Sequence, residues 1–172
     1  MDRGLSGGLD GERLAPQPLR APALTERKAP MRIYMAGPLF STAELAFNRA
    51  LAGLLRARGH EVFLPQEHEQ RKDLPAAIFA SDVKGLDWSE AVVACLDGAD
   101  PDSGTCWELG YAYAKKKLSL VYRTDFRLFK GSDPINLMMS ESADHVIIMP
   151  IAEVDDLASE IAARLEATSK VS

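Results

Sequence analysis

Apolar and polar residues along the chain alternate between two kinds of segment. Residues 32–36, 61–64, 91–96, 118–122 and 145–149 are short apolar runs of strand length. The run at 91–96 is continuously apolar up to Asp97-Gly98, as expected of a central strand buried on both faces. Between these runs the apolar positions recur at helical spacing. Residues 41–58 form such a stretch, stopped by Gly59, and residues 74–86 another, with Ile78, Phe79, Val83 and Leu86 near one face and Pro75 tolerated in the first turn. A third helix is predicted from about residue 105 to 116, where Lys115, Lys116 and Lys117 meet the negative end of the helix dipole. A short helix over residues 133–139, opened by Asp133-Pro134, and a last one over 154–165 complete the pattern.

Strict β/α alternation implies a parallel sheet with right-handed crossovers. The predicted fold is α/β: a flavodoxin-like, doubly wound, five-stranded parallel sheet with helices on both faces. Ligands of such sheets bind outside the carboxyl ends of the strands, near the point where strand order reverses. The segments leaving those ends are Gly37-Pro38-Leu39-Phe40, Pro65-Gln66-Glu67-His68, residues 97–105 and Arg123-Thr124-Asp125.

Residues 1–30 carry Gly, Pro, Arg and Leu without either period, a composition that predicts a disordered tail ahead of one folded domain over residues 31–172. A formal net charge of −5 argues against a nucleic-acid partner, which needs clustered cations. Two cysteines are too few for a disulfide framework, and no apolar run approaches the roughly 20 residues that span a bilayer. A soluble, cytoplasmic protein with no membrane partner is expected.

The chain has neither G-x-G-x-x-G nor G-x-x-x-x-G-K-[ST], which disfavours dinucleotide and P-loop chemistry. His60, His68 and His145 lack metal-ligand spacing. No metal and no cofactor are expected. The most informative stretch is Asp102-Ser103-Gly104-Thr105-Cys106-Trp107-Glu108-Leu109-Gly110-Tyr111, which follows the central strand. A glutamate at a helix start is kept ionised by the dipole and by free N–H groups, and an ionised carboxylate is a nucleophile. Thr105-Cys106-Trp107-Glu108 also has the Thr-x-x-Glu form of a capping box, in which Glu108 would merely satisfy the Thr105 N–H. Position after the central strand and a nearby second acid favour the chemical role. Asp82, Asp97 and Asp102 are the candidate second acids; their structural alternatives are a solvated helix position, a turn residue before Gly98, and a helix cap. Cys106 at a helix start has a nucleophilic reading too, but no histidine is placed to assist it, and a buried structural thiol is the better account.

Four pieces in order, Ile33-Tyr34-Met35-Ala36-Gly37-Pro38-Leu39-Phe40, Asp82-Val83-Lys84-Gly85-Leu86, the Asp102 to Ala112 stretch, and Pro134-Ile135-Asn136-Leu137-Met138, make residues 31–149 resemble the nucleoside 2-deoxyribosyltransferases. The resemblance implies that Glu108 takes the 2-deoxyribosyl group from a nucleoside as a covalent ester and that Asp82 serves the base as a proton donor. By the same resemblance Tyr34 holds Glu108, Asp102 holds the 5′-hydroxyl, and Gly37 and Phe40 lie in the substrate site. Asn136 and Met138 would complete a neighbouring subunit's sugar pocket, which requires a homo-oligomer, dimer or hexamer, with shared sites. The implied partners are a deoxynucleoside and a nucleobase, in nucleoside salvage. A protonated Asp82 beside an ionised Glu108 is the split such chemistry needs. Relatives that hydrolyse nucleoside monophosphates carry hydroxyl residues where Asp102 and Asn136 stand; a carboxylate at 102 repels a 5′-phosphate and favours nucleosides. An N-glycoside hydrolase using the same glutamate is the nearest alternative, and a non-catalytic nucleotide-binding module a more distant one. The ending Ala167-Thr168-Ser169-Lys170-Val171-Ser172 lacks the aromatic tail found in family members with broad base tolerance, which leaves the choice of base open.

Overall fold

The computed structural model describes residues 30–68, 73–127 and 134–168. The predicted tail, apart from Pro30, and the predicted helix start at Asp133 lie outside them. The elements run β1 (Arg32–Ala36), α1 (Thr42–Ala57), β2 (Glu61–Phe63), α2 (Pro75–Trp88), β3 (Ala91–Cys95), α3 (Ser103–Ala114), β4 (Leu118–Arg123), α4 (Leu137–Ser142), β5 (His145–Ile148) and α5 (Val154–Thr168). All strand pairs are parallel and the order is β2-β1-β3-β4-β5, the flavodoxin-like arrangement, in which the chain reverses direction across the sheet between β1 and β3. Among the described residues no helix is long and apolar enough to cross a membrane.

Each strand's period of two sends alternate residues to opposite faces. Ile33, Met35, Val93 and Cys95 pack with Leu51, Leu55, Leu157 and Ile161 of α1 and α5. Tyr34, Ala36, Val92 and Ala94 pack on the other face with Leu86 of α2 and with Leu109 and Ala112 of α3. This alternation places Tyr34 on the face covered by α2 and α3. Leu86 and Leu109 are almost wholly buried, and burial of such a side chain is worth about 1.5–3 kcal/mol, enough to hold each helix against the sheet. Gly85 lets α2 approach: a Cβ there would lie 2.6 Å from the Phe63 ring.

Two helix starts differ from the local reading, for the same physical reason. Asp102, not Thr105, is the N-cap of α3, its carboxylate accepting from Thr105 N at 2.8 Å, so the helix begins at Ser103. Asn136 caps α4 by accepting from Met138 N at 2.9 Å, so that helix begins at Leu137, and Pro134 and Ile135 precede it outside the helix. In both, a side-chain oxygen that can reach a free N–H two or three residues on sets the start. A complete capping box does occur, but on α1, between Ser41 and Glu44. A turn of 3-10 helix over Pro65–Glu67 was not anticipated.

Candidate active site

Three acidic or phenolic side chains converge where β1 ends beneath α2 and α3. Tyr34 Oη donates to Glu108 Oε1 at 2.5 Å across the sheet-helix interface. Asp82, on α2, adds its charge to both. Its Oδ1 is buried without a hydrogen-bond partner among the described residues. The solvated position that α2 offered for Asp82 is therefore not the one it occupies. A buried, unpaired carboxylate oxygen destabilises the fold and marks a place where a polar group can be received.

Glu108 lies in the second turn of α3, because the helix starts at Ser103. It neither caps Thr105 nor meets the free N–H groups of the first turn, and its ionised form is supported by the Tyr34 hydroxyl instead. Burial pushes the Glu108 carboxyl up to about 7; the Tyr34 bond opposes this, while the charges of Asp82 and Asp102 add to it. Burial alone pushes Asp82 up to about 6. Burial thus raises both acids of the free site. Burial, then the charge and hydrogen bond of Glu108, raise the Tyr34 phenol well above its ordinary range, which keeps it a donor.

A linkage to stability follows. Both folded-state values lie above the unfolded ones, so the stability these groups contribute is complete below about pH 4 and is lost as pH rises toward about 7. Asp82→Asn is expected to stabilise the fold at pH 8 by about 1–2 kcal/mol, after discounting for residual solvent, and to change little at pH 4. Urea titrations of both proteins at the two pH values check this. A variant less stable than the parent at pH 8 contradicts the burial account.

An aromatic stack adjoins this cluster. Phe63 stacks on Tyr34 at 5.4 Å between centroids and His68 stacks on Phe63 at 3.8 Å. Gln66 donates to Leu45 O at 2.9 Å, while its Oε1 is buried without a partner among the described residues. A cavity of about 690 Å³, lined by Phe40, Phe47, Gly98, Asp102 and Thr124 among others, opens at the ends of β1, β3 and β4, and Tyr34, Asp82 and Glu108 are not part of its lining. Asn48, itself buried, donates to Pro38 O at 3.0 Å and fixes the turn leaving β1. Gly37 in that turn sits against Cys95, and Phe40 is 74% exposed.

The structure thus brings Tyr34, Asp82 and Glu108 together and sets Asp102 within electrostatic reach of Glu108. It does not bring Asn136 and Met138 into the hydrogen-bonded cluster: Asn136 is spent as a cap and Met138 is 70% exposed on α4. Asp97 is not a turn residue; its carboxylate accepts from Thr124 N at 2.6 Å, Thr124 Oγ1 at 2.5 Å and Asp125 N at 2.8 Å. Burial and the charges of Asp102 and Asp100 raise the half-buried Cys106 thiol, which removes its case as a nucleophile. Phe63, Gln66, Asn48 and Arg123 were not singled out from the sequence. Gln66 and Arg123 were within reach of that reading, since each stands in a polar segment at a strand end; Phe63 and Asn48 look like ordinary core or surface residues until their contacts are known.

The family model described as nucleoside 2-deoxyribosyltransferase matches residues 33–149. An uncharacterized protein of Ureaplasma parvum serovar 3 is 30% identical over 124 residues, which make up 61% of this chain and 77% of the relative. A conserved protein from Enterococcus faecalis V583 superposes with a TM-score of 0.64 at 28% identity, over 79% of this chain and 99% of that one. The 2-deoxyribosyltransferase of Bacillus psychrosaccharolyticus superposes with a TM-score of 0.59 at 26% identity, over 73% of this chain and 89% of that one.

Proposed function

From a chain that belongs to the nucleoside 2-deoxyribosyltransferase family, we propose an enzyme that transfers the 2-deoxyribosyl group between nucleobases through a covalent ester on Glu108, serving nucleoside salvage. The observation that carries this reading is the bond from Tyr34 Oη to Glu108 Oε1 beside a half-buried Asp82. The phenol occupies one carboxylate oxygen and orients the other toward the substrate.

In the first half-reaction the ionised Glu108 attacks C1′. The bond from C1′ to the base nitrogen breaks, and the proton of Asp82 goes to the departing base. In the second, an acceptor base attacks C1′, the ester bond breaks, its electrons return to Glu108, and Asp82 recovers a proton from the acceptor nitrogen. Two inversions give overall retention at C1′. Binding of the base against Asp82 favours the protonation split, since a base nitrogen accepting from Asp82 stabilises its neutral form. Asp102 receives the 5′-hydroxyl, and its charge disfavours a 5′-phosphate. Gly37 and Phe40 border the sugar. The exposure of Leu137 and Met138 on α4 supports a homo-oligomer in which Asn136 and Met138 complete a neighbour's sugar pocket.

Deoxyinosine or thymidine incubated with and without adenine tests the proposal. Deoxyadenosine is expected with acceptor, with little free deoxyribose in its absence. Rapid base release without acceptor and no new nucleoside with it would identify a hydrolase, in which water takes the acceptor's place on the same ester.

A further inference from the structure

The geometry points to Arg123 as a positioning residue that, through the loop between β3 and α3, sets the place of the Asp102 carboxylate and hence how strongly the site reads the substrate's 5′-hydroxyl. This rests on the assignment of Asp102 above. Arg123 ends β4, is 1% exposed, and is among the largest fully buried side chains. Its Nη1 donates to Leu96 O, and its Nη2 donates to Gly98 O at 2.9 Å and to Arg127 O at 2.7 Å. One guanidinium therefore joins the loop leaving β3 to the loop leaving β4.

The connection is reciprocal. Asp97, from the first loop, accepts three bonds from Thr124 and Asp125 of the second. Asp125, from the second loop, accepts from Gly98 N of the first at 3.1 Å. The strand ladder itself ends where Leu96 N meets Tyr122 O, so past that point side chains hold the two loops in register. Gly98 adopts a φ of +107°, a backbone state that suits glycine and turns both its N–H and its carbonyl toward these partners. Four residues on, Asp102 caps α3 with its Oδ2, which accepts from Thr105 N at 2.8 Å and from Thr105 Oγ1 at 3.1 Å. With one oxygen tied to the helix and the loop behind it clamped, the direction of the other is set.

Stability alone is a poor account of this arginine. Although its Nη2 lies 3.9 Å from Asp125 Oδ2, its Nε is buried without an acceptor among the described residues, and burying such a guanidinium costs more than burying an apolar side chain of similar size. What arginine supplies is a rigid fork able to reach carbonyls of two loops at once, which neither methionine nor a single lysine ammonium reproduces.

The test uses the full chain with adenine as acceptor and compares kcat/KM for 2′-deoxyinosine and 2′,5′-dideoxyinosine. The parent is expected to prefer the 5′-hydroxyl by about tenfold or more, as for a hydrogen bond to a charged group. In Arg123→Met that preference is expected to fall toward unity, through loss on the hydroxylated substrate, with turnover of the dideoxy substrate changed by less than about threefold. Adding Asp102→Ala to Arg123→Met should then remove no further preference. An Arg123→Met protein that slows both substrates equally, with the preference intact, overturns the proposal. Should that variant not fold, Thr124→Val, which removes only the hydroxyl donor to Asp97, should narrow the preference in the same direction; a folded Thr124→Val with the parent's preference overturns it equally. A parent chain that uses both substrates equally well refutes the Asp102 assignment, and one that uses neither refutes the transferase reading; the role of Arg123 falls with either.

Discussion

Glu108→Ala is expected to lower turnover of deoxynucleosides by about four to six orders of magnitude, the scale seen when a covalent nucleophile is removed. The loss should fall on kcat, because the ester cannot form, while binding of the sugar and base is kept by the other side chains. Folding is not the cause to look for. Glu108 does not cap α3, alanine is the better helix former, and the substitution removes a carboxyl whose ionisation burial opposes. The variant should still fold, with a melting temperature lowered by the loss of the partner of the buried Tyr34 hydroxyl. Base release followed by chromatography gives the rate, and intact-mass spectrometry of the parent, quenched in acid without acceptor, should show a deoxyribosyl adduct that peptide mapping places on Glu108. Turnover of Glu108→Ala within about tenfold of the parent would sink the mechanism, whatever the reaction proves to be.

The second large effect belongs to Asp82. Asp82→Asn is expected to reduce kcat by about 10²–10⁴-fold, the range for a general acid. It should also change the shape of the pH profile, which an indirect structural effect would not do. In the parent, activity rises with pH as Glu108 loses its proton and falls as Asp82 loses its own, giving a bell whose maximum lies between about 6 and about 7. The two apparent values belong to the pair, and the active form has Glu108 ionised and Asp82 protonated. In Asp82→Asn the alkaline fall should vanish. The acid limb should remain, since it reports the ionisation of Glu108 beside an uncharged residue 82 in both proteins. An alkaline limb that persists unchanged in Asp82→Asn assigns the acid elsewhere.

Reading the chain residue by residue succeeded where the governing interactions are local. The five strands and five helices lie within a few residues of the places their apolar periods predict, since burial on one or both faces imposes those periods directly. Reading was less sharp where two local signals compete. Thr105 and Asp102 both have the side chain of an N-cap, and the pattern Thr-x-x-Glu favoured the first; the structure uses the second. The shift of one turn alters the chemistry of Glu108, which leaves the positive end of the dipole and depends on Tyr34 instead. For Asp97 and Arg123 the local view named the segment but not the role, because their partners are on another strand-end loop.

By itself the sequence determined the order of strands and helices, the sheet that this order forms, and through its resemblance the acids worth watching, because periodicity and motif are properties of neighbouring residues. Only the tertiary structure decided that Tyr34 meets Glu108 at 2.5 Å, that Asp82 lies half-buried beside them, and that both carboxyls are raised. Burial and the spacing of charges govern these, and both arise only once α2 and α3 are seated on the sheet.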